Sequence, residues 1–344
     1  MILDALGLDA LVLRRPGNVA WWSGGGRTHI LATPEVGVAA LVVRRDGVEV
    51  VTAVNEAPRL RAEELPDAAL LDRLGGGAVT WTVLPWADPL DAALPRGERV
   101  GVDGPLAGTR DVSAEVEAAR RSLSPEAVAR YRDVGARAAA ALTDAALALT
   151  PSLTEHRAAA AVGGALLDRG LDPVVLLVAG GSRVATHRHP LPTGAPVGDL
   201  VMLVACARGH GLIANLTRFV SFGRVPPGYD RLLEVEAAFL DATVPGARVG
   251  DVVAAGAAAY GDDEWTRHHQ GGATGYETRD HLATPGCDEA VEPWQAFAWN
   301  PSIPSLKVED TVLATPDGVE VLTVDERWPA AVAHGRRRPL LLER

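Results

Sequence analysis

The chain has 344 residues, with 33 Lys or Arg against 44 Asp or Glu, for a formal charge of −11. Net acidity without a basic stripe excludes nucleic acid as the main partner, and the lack of any apolar run of about 18 residues excludes a membrane-spanning helix. Hydrophobic residues make up 47%, enough for two cores, and only Cys206 and Cys287 are available for a disulfide framework, so a reducing cytoplasm is expected.

In chain order, the start MILDALGLDALVLRR mixes Asp among its apolar residues, which is not a signal peptide. Leu8 to Arg15 reads as a short strand, and Gly17-Asn18 turns into a helical NVAWWSGG. Val38 to Val54 holds two β-branched runs joined at Asp46-Gly47, a hairpin signal. A helix is expected over Glu63 to Leu74, a strand over Val79 to Trp86, a helix after Asp88, and a strand over Arg99 to Asp103. Alternating strands and helices make a small α/β domain, placed at residues 1–121, with the second domain at 122–344.

The second domain opens at Ser124-Pro125-Glu126, a helix start with Pro at its first position. A long Ala-rich helix should run to about Leu149, and a second from Thr154-Glu155 to Gly170. Two strand-like stretches follow, PVVLLVAGG and LVMLVACARGHGLIANLTRFVSFG, then helices over Tyr229 to Ala242 and Val249 to Tyr260. Trp294 to Thr323 is strand-rich, with a turn at Pro316-Asp317-Gly318, and GRRRP at Gly335 to Pro339 reads as a solvated basic tail.

Four of the nine histidines fall in two tight groups, His187 and His189 in THRHPLPTG, and His268 with His269 in RHHQGGATGYETRD. Both groups lie in Gly- or Pro-bearing loops between strands, where catalytic groups are commonly carried, and imidazole suits proton transfer near neutral pH. Gly271, Gly272 and Gly275 permit close backbone approach to a ligand, and Arg279 can hold a carboxylate. Glu309 follows an apolar Val308 and so is a candidate for burial with a partner; Asp310 reads as a strand-end residue. Cys206 reads as a buried, inert thiol.

Taken together, these segments resemble the creatinase and aminopeptidase-P family over nearly the whole chain. GDLVMLVACARGHGLIANLTRFVSFG is similar to the segment written GDLVxxDxGxxxxGYxxDxTRTxxxG, RHHQGGATGY to HRxGHGIGL, and SLKVEDTVLATPDGVEVLT to the family's final metal-ligand strand. The resemblance implies an α+β chain: a small N-terminal creatinase-type domain, then a pita-bread catalytic domain. It also implies a homodimer, in which Trp21, Trp22 and Arg27 either reach a partner's site or belong to their own core.

Metal-dependent members hold two ions with two Asp, one His and two Glu. By the resemblance, those positions are occupied here by Val204, Asn215, Gly272, Asn300 and Glu309. Only Glu309 keeps its acid, too few anionic oxygens for hard divalent ions. No metal and no other cofactor are therefore expected, with a single ion relocated to His187, His189, His268 or His269 as the alternative.

Creatinase works on this fold without metal, and that analogy sets the functional expectation: a metal-independent hydrolase of a C–N bond in a small carboxylate-bearing compound. His189, His268, His269 and Glu309 are then the catalytic candidates. Arg279, Asn215, Asn300, His187 and Tyr276 are the candidates for binding substrate. The alternatives are a metal-dependent Xaa-Pro peptidase and a catalytically inactive binding module.

Overall fold

The computed structural model describes residues 2–344. The backbone divides into two compact units, one running to Arg121 and including His210–Leu212, the other holding the remainder. The class is α+β, as the resemblance implies.

The N-terminal unit is built on six strands. Their order is Ala78–Leu84, Gly47–Ala53, Ala39–Arg44, Ala10–Leu13, Val100–Val102, Arg110–Asp111. Period-2 alternation sends Leu11, Leu13, Leu41 and Val43 to one apolar cluster and Ala10, Val12, Ala40 and Val42 to another. Both faces are thus covered, as a sheet with helical crossovers requires. Trp21 and Trp22 pack on the first cluster, and Arg27 pairs with Glu64.

Three expectations shift in this unit. The hairpin turn is Arg45-Asp46, because Arg44 pairs with Gly47. The helix expected over Glu63 to Leu74 is interrupted: a helical turn Leu60–Glu64 ends before Pro66, which is extended, and a new helix runs Asp67–Leu74. The segment after Asp88 closes only a 3-10 turn, Leu90–Ala93.

In the C-terminal unit, helices Pro125–Leu147 and Glu155–Leu167 begin where side-chain caps permit. Ser124 accepts from the Ala127 N–H and Thr154 from the Arg157 N–H. Strands Asp172–Gly180, Leu200–Gly209, Leu212–Ser221 and Leu342–Glu343 form one sheet; Gly271–Thr274, Ala296–Trp299, Asp310–Thr315 and Gly318–Val321 form a second. A bridge between Thr217 and Glu309 joins them, with the Thr217 N–H donating to the Glu309 carbonyl at 3.0 Å. Helices Tyr229–Ala242 and Val249–Tyr260 cover the second sheet through Phe239, which stacks on Trp299 at 5.0 Å. A Cβ on Gly256 would sit 2.1 Å from the Phe239 ring, so the helix pair closes only over glycine.

GRRRP is not a solvated tail. Arg336–Pro339 pairs as a strand with Ala330–Ala333, and Arg338 is 2% exposed. Its guanidinium donates to Glu236 Oε2 at 2.7 Å and to Asp310 Oδ2 at 2.8 Å. Asp310 is no simple strand end either: it also accepts from Arg218 at 2.8 Å and from Thr323 Oγ1 at 2.5 Å. Buried charges need such partners, and stripping one partner leaves the other uncompensated. Glu236→Ala should therefore destabilise the chain by about 3–5 kcal/mol, whereas Arg337→Ala, at the exposed neighbouring position, should cost under about 1 kcal/mol; urea-unfolding midpoints compare the two.

Candidate active site

The seam between the two C-terminal sheets carries Glu309, whose side chain is almost fully buried. Its Oε1 accepts from Arg279 Nη2 at 2.9 Å, and its Oε2 from Thr217 Oγ1 and Lys307 Nζ, each at 2.8 Å. Burial pushes this carboxyl up, but Lys307 and then Arg279 outweigh burial and hold it down at about 2. Lys307 is itself buried and was not singled out in the sequence. Its place two residues before Glu309, hence on the same face of an extended segment, is the signal that could have found it.

Two cations, buried Lys307 and partly exposed Arg279, therefore share one carboxylate. Arg279 does not stand free to receive a ligand, as the sequence suggested; it is half of an ion pair, and its Nε is buried without a partner. Asn215 lies two residues from Thr217 and donates through Nδ2 to Thr274 Oγ1 at 3.0 Å. Its Oδ1 and that of Asn300 are buried with no hydrogen-bond partner, an unmet demand for donors. Tyr276 is buried just beyond the strand Gly271–Thr274.

His189, His268 and His269 come together. Ring centroids of His189 lie 4.9 and 5.4 Å from those of His268 and His269, and the latter two stack at 4.3 Å. The Nε2 atoms of His189 and His268 are 3.1 Å apart. His187 does not join them; its Nδ1 meets Thr186 Oγ1 at 2.8 Å, and it lines a small cavity with Arg188, His268 and Lys307.

The two histidine-bearing loops are fixed from behind. Buried Glu155 accepts from the Gly180 and Thr193 N–H groups, both at 2.8 Å, and pairs with Arg183. That pins the stretch carrying His187 and His189. Arg188 pairs with Glu264 and donates to Ser302 Oγ at 3.0 Å, clamping this loop to the one before His268. Gln270 closes the second loop by donating to the His268 carbonyl at 2.7 Å and accepting from Tyr260 at 2.9 Å.

The imidazoles are held neutral. Burial lowers His268 to about 2, with His269, Lys307 and His189 adding to it, and lowers His269 to about 4, with Arg279, His189 and Lys307 adding. His189 is lowered by partial burial and by Lys307. Cys206 is an inert thiol, pushed by burial up to about 12.

The two-ion centre implied by the resemblance does not fit these residues. Val204 belongs to the hydrophobic core. A Cβ on Gly272 would lie 2.4 Å from the His281 carbonyl oxygen and 2.7 Å from the Ala283 nitrogen, so backbone fills the space a side-chain ligand there would need. Asn215 and Asn300 carry no charge, and Glu309 already holds two cations. A second group, His281, Cys287 and Glu289, has its donor atoms within 4.8 Å of one another. Among the described residues, no helix is long and apolar enough to cross a membrane.

Comparison with known proteins places this geometry. The sequence model of metallopeptidase family M24 matches residues 129–316. A prolidase from Pyrococcus horikoshii OT3 superposes with a TM-score of 0.76 at 18% identity, covering 95% of this chain and 97% of that one. An Xaa-Pro dipeptidase from Bacillus anthracis gives 0.75 at 15% identity, covering 99% and 96%. These likenesses show the pita-bread fold. A Bacillus subtilis protein named "Putative dipeptidase YkvY" is 28% identical over 155 residues, 40% of this chain and 41% of its own length, so the match spans about two fifths of that relative. The matches correct the expectation of a metal-independent, creatinase-like C–N hydrolase: the family matched is one of metallopeptidases, and the similar structures are named for prolidase and dipeptidase activity.

Glu309→Gln removes the carboxylate that pairs buried Lys307 and partly exposed Arg279 and should destabilise the chain by about 3–5 kcal/mol. Lys307→Met leaves a one-to-one pair with Arg279 and should change stability by less than about 1.5 kcal/mol; urea denaturation distinguishes them. For the histidines the sign follows from proton uptake. Unfolded imidazoles take protons below about 6.5, while the folded ones resist until about 4 and about 2, so this cluster costs stability progressively as pH falls from about 6.5. NMR titration should find His268 and His269 neutral at about pH 5.

Proposed function

This chain belongs to metallopeptidase family M24, a family of hydrolases, and from that premise we propose that it hydrolyses small peptides, with Xaa-Pro dipeptides the substrates to test first. The observation that carries the reading is the shared carboxylate: buried Lys307 and partly exposed Arg279 both pair with Glu309. Two cations facing one carboxylate favour an incoming anion. A peptide's C-terminal carboxylate supplies it. The partnerless Oδ1 atoms of Asn215 and Asn300 supply acceptors for a peptide N–H or an N-terminal ammonium. A short zwitterionic peptide meets both demands at once.

The neutral histidine trio stands beside this charged pocket and can accept or return a proton near neutral pH. The relatives' printed names, prolidase and Xaa-Pro dipeptidase, give the same substrate class. The substrate is then a dipeptide, bound by its ends and cut between them. The five-residue ligand set implied by the resemblance has no part in this reading, because its positions do not fit two ions.

The test compares an Xaa-Pro dipeptide with its C-terminal amide, each with Zn²⁺, Co²⁺ or Mn²⁺ added. Hydrolysis of the free acid should exceed that of the amide by about 10- to 100-fold in kcat/KM, the worth of a hydrogen bond to a charged group. Lys307→Met should remove most of that preference. No hydrolysis of any dipeptide under all three metals, or equal rates on acid and amide, overturns the proposal.

A further inference from the structure

We infer that His189, His268 and His269 form a site for one divalent transition-metal ion, displaced from the positions that the family resemblance assigns to metal. The donor atoms of the three side chains all lie within 4.8 Å of one another. A tetrahedral ion with metal–nitrogen bonds of about 2.0–2.1 Å places its ligand nitrogens about 3.3 Å apart. His189 Nε2 and His268 Nε2 are already 3.1 Å apart, so that edge exists, and a His269 nitrogen lies within 4.8 Å of the other two donors.

The packing itself asks for a cation. Three neutral imidazoles carry three lone pairs and three N–H groups. One N–H···N bond between His189 and His268 uses a single lone pair within the cluster. The Nδ1 atom of His269 is buried with no hydrogen-bond partner, so this ring has a nitrogen left for an ion. No carboxylate belongs to the cluster, and histidines stacked at 4.3 Å gain nothing as a surface patch. A shared ion accounts for their convergence from two loops that Arg188–Glu264 holds together.

The surrounding charges set the conditions. Lys307 and Arg279 oppose a cation, Glu309 offsets one of them, and Glu264 offsets Arg188. The anionic end of a docked peptide neutralises the remaining charge. All-imidazole donors select Zn²⁺, Co²⁺, Ni²⁺ or Cu²⁺ over Mg²⁺, Ca²⁺ and Mn²⁺, which prefer carboxylate oxygen. The ion would supply a Lewis acid to the peptide hydrolysis proposed above and in that respect rests on it, but its binding is measured with no substrate present, so either can fail alone.

Titrating the intact chain with Co²⁺ tests the site. One equivalent should bind with the visible absorption of a four-coordinate Co²⁺ centre, Zn²⁺ should displace it, and Mg²⁺ should not. His268→Ala and His269→Ala should each weaken binding by at least about 100-fold while melting as wild type without metal. His189→Ala, at an exposed position with little risk to folding, should do the same. His281→Ala should bind as wild type. Absence of saturable binding, two equivalents, binding retained in His268→Ala and His269→Ala, or binding lost in His281→Ala each overturns the site.

Discussion

One carboxylate, Glu309, sits where the two sheets of the C-terminal unit meet, and its contacts organise the site around it. The bridge to Thr217 is made by the Glu309 backbone as well as its side chain, so the residue that joins the sheets is also the residue that gathers charge. Removed from water, a carboxylate must be paired closely and hydrogen-bonded. Thr217, Lys307 and Arg279 do that from three different chain segments. The scaffold and the chemistry therefore depend on the same atoms, and neither can change without the other.

The fold is that of the family, while the positions that the resemblance assigns to metal ligands carry other residues here, Glu309 excepted. Two divalent ions between carboxylates bring positive charge to the middle of the domain. Here Lys307 and Arg279 bring positive charge to the same carboxylate with side chains alone. Val204 lies in the core, and the backbone at His281 and Ala283 lies against Gly272. Lys307 and Arg279 at Glu309 and the partnerless amide oxygens of Asn215 and Asn300 are the features on which the zwitterionic-peptide proposal rests.

Much of the scaffold was readable from local rules. Ser124-Pro125 and Thr154 marked helix starts because capping is decided within four residues. The strand Leu200–Gly209 and the hairpin near Asp46 followed from composition and period. The site was readable in part: the two histidine groups and Glu309 were named from residue type and loop context, and His189, His268 and His269 do converge. The failures share a cause. Arg338 looked like part of a solvated run, yet its partner Glu236 lies 102 residues away. Arg279 looked free, yet Glu309 is 30 residues away. No window of sequence shows a charge which distant charge will meet it. Lys307 was hidden in plain view, since lysine is rarely buried without a partner and only the partner makes it visible.

The histidine trio follows from the same constraint. Glu309 is committed to two cations and a threonine hydroxyl, so its oxygens are already engaged. Any metal chemistry retained by a member of this family must then move to donors that bind without negative charge, and neutral imidazole is the side chain that does so. The fold keeps three of them in contact through two structural ties, Glu155 to the first loop and Arg188–Glu264 between the loops. Neither tie touches the imidazole rings, so both serve to place them. A cluster that is neutral, converged and braced from behind has the attributes of a prepared binding site, and Glu309 and Glu264 offset part of the positive charge that Lys307, Arg279 and Arg188 bring near it.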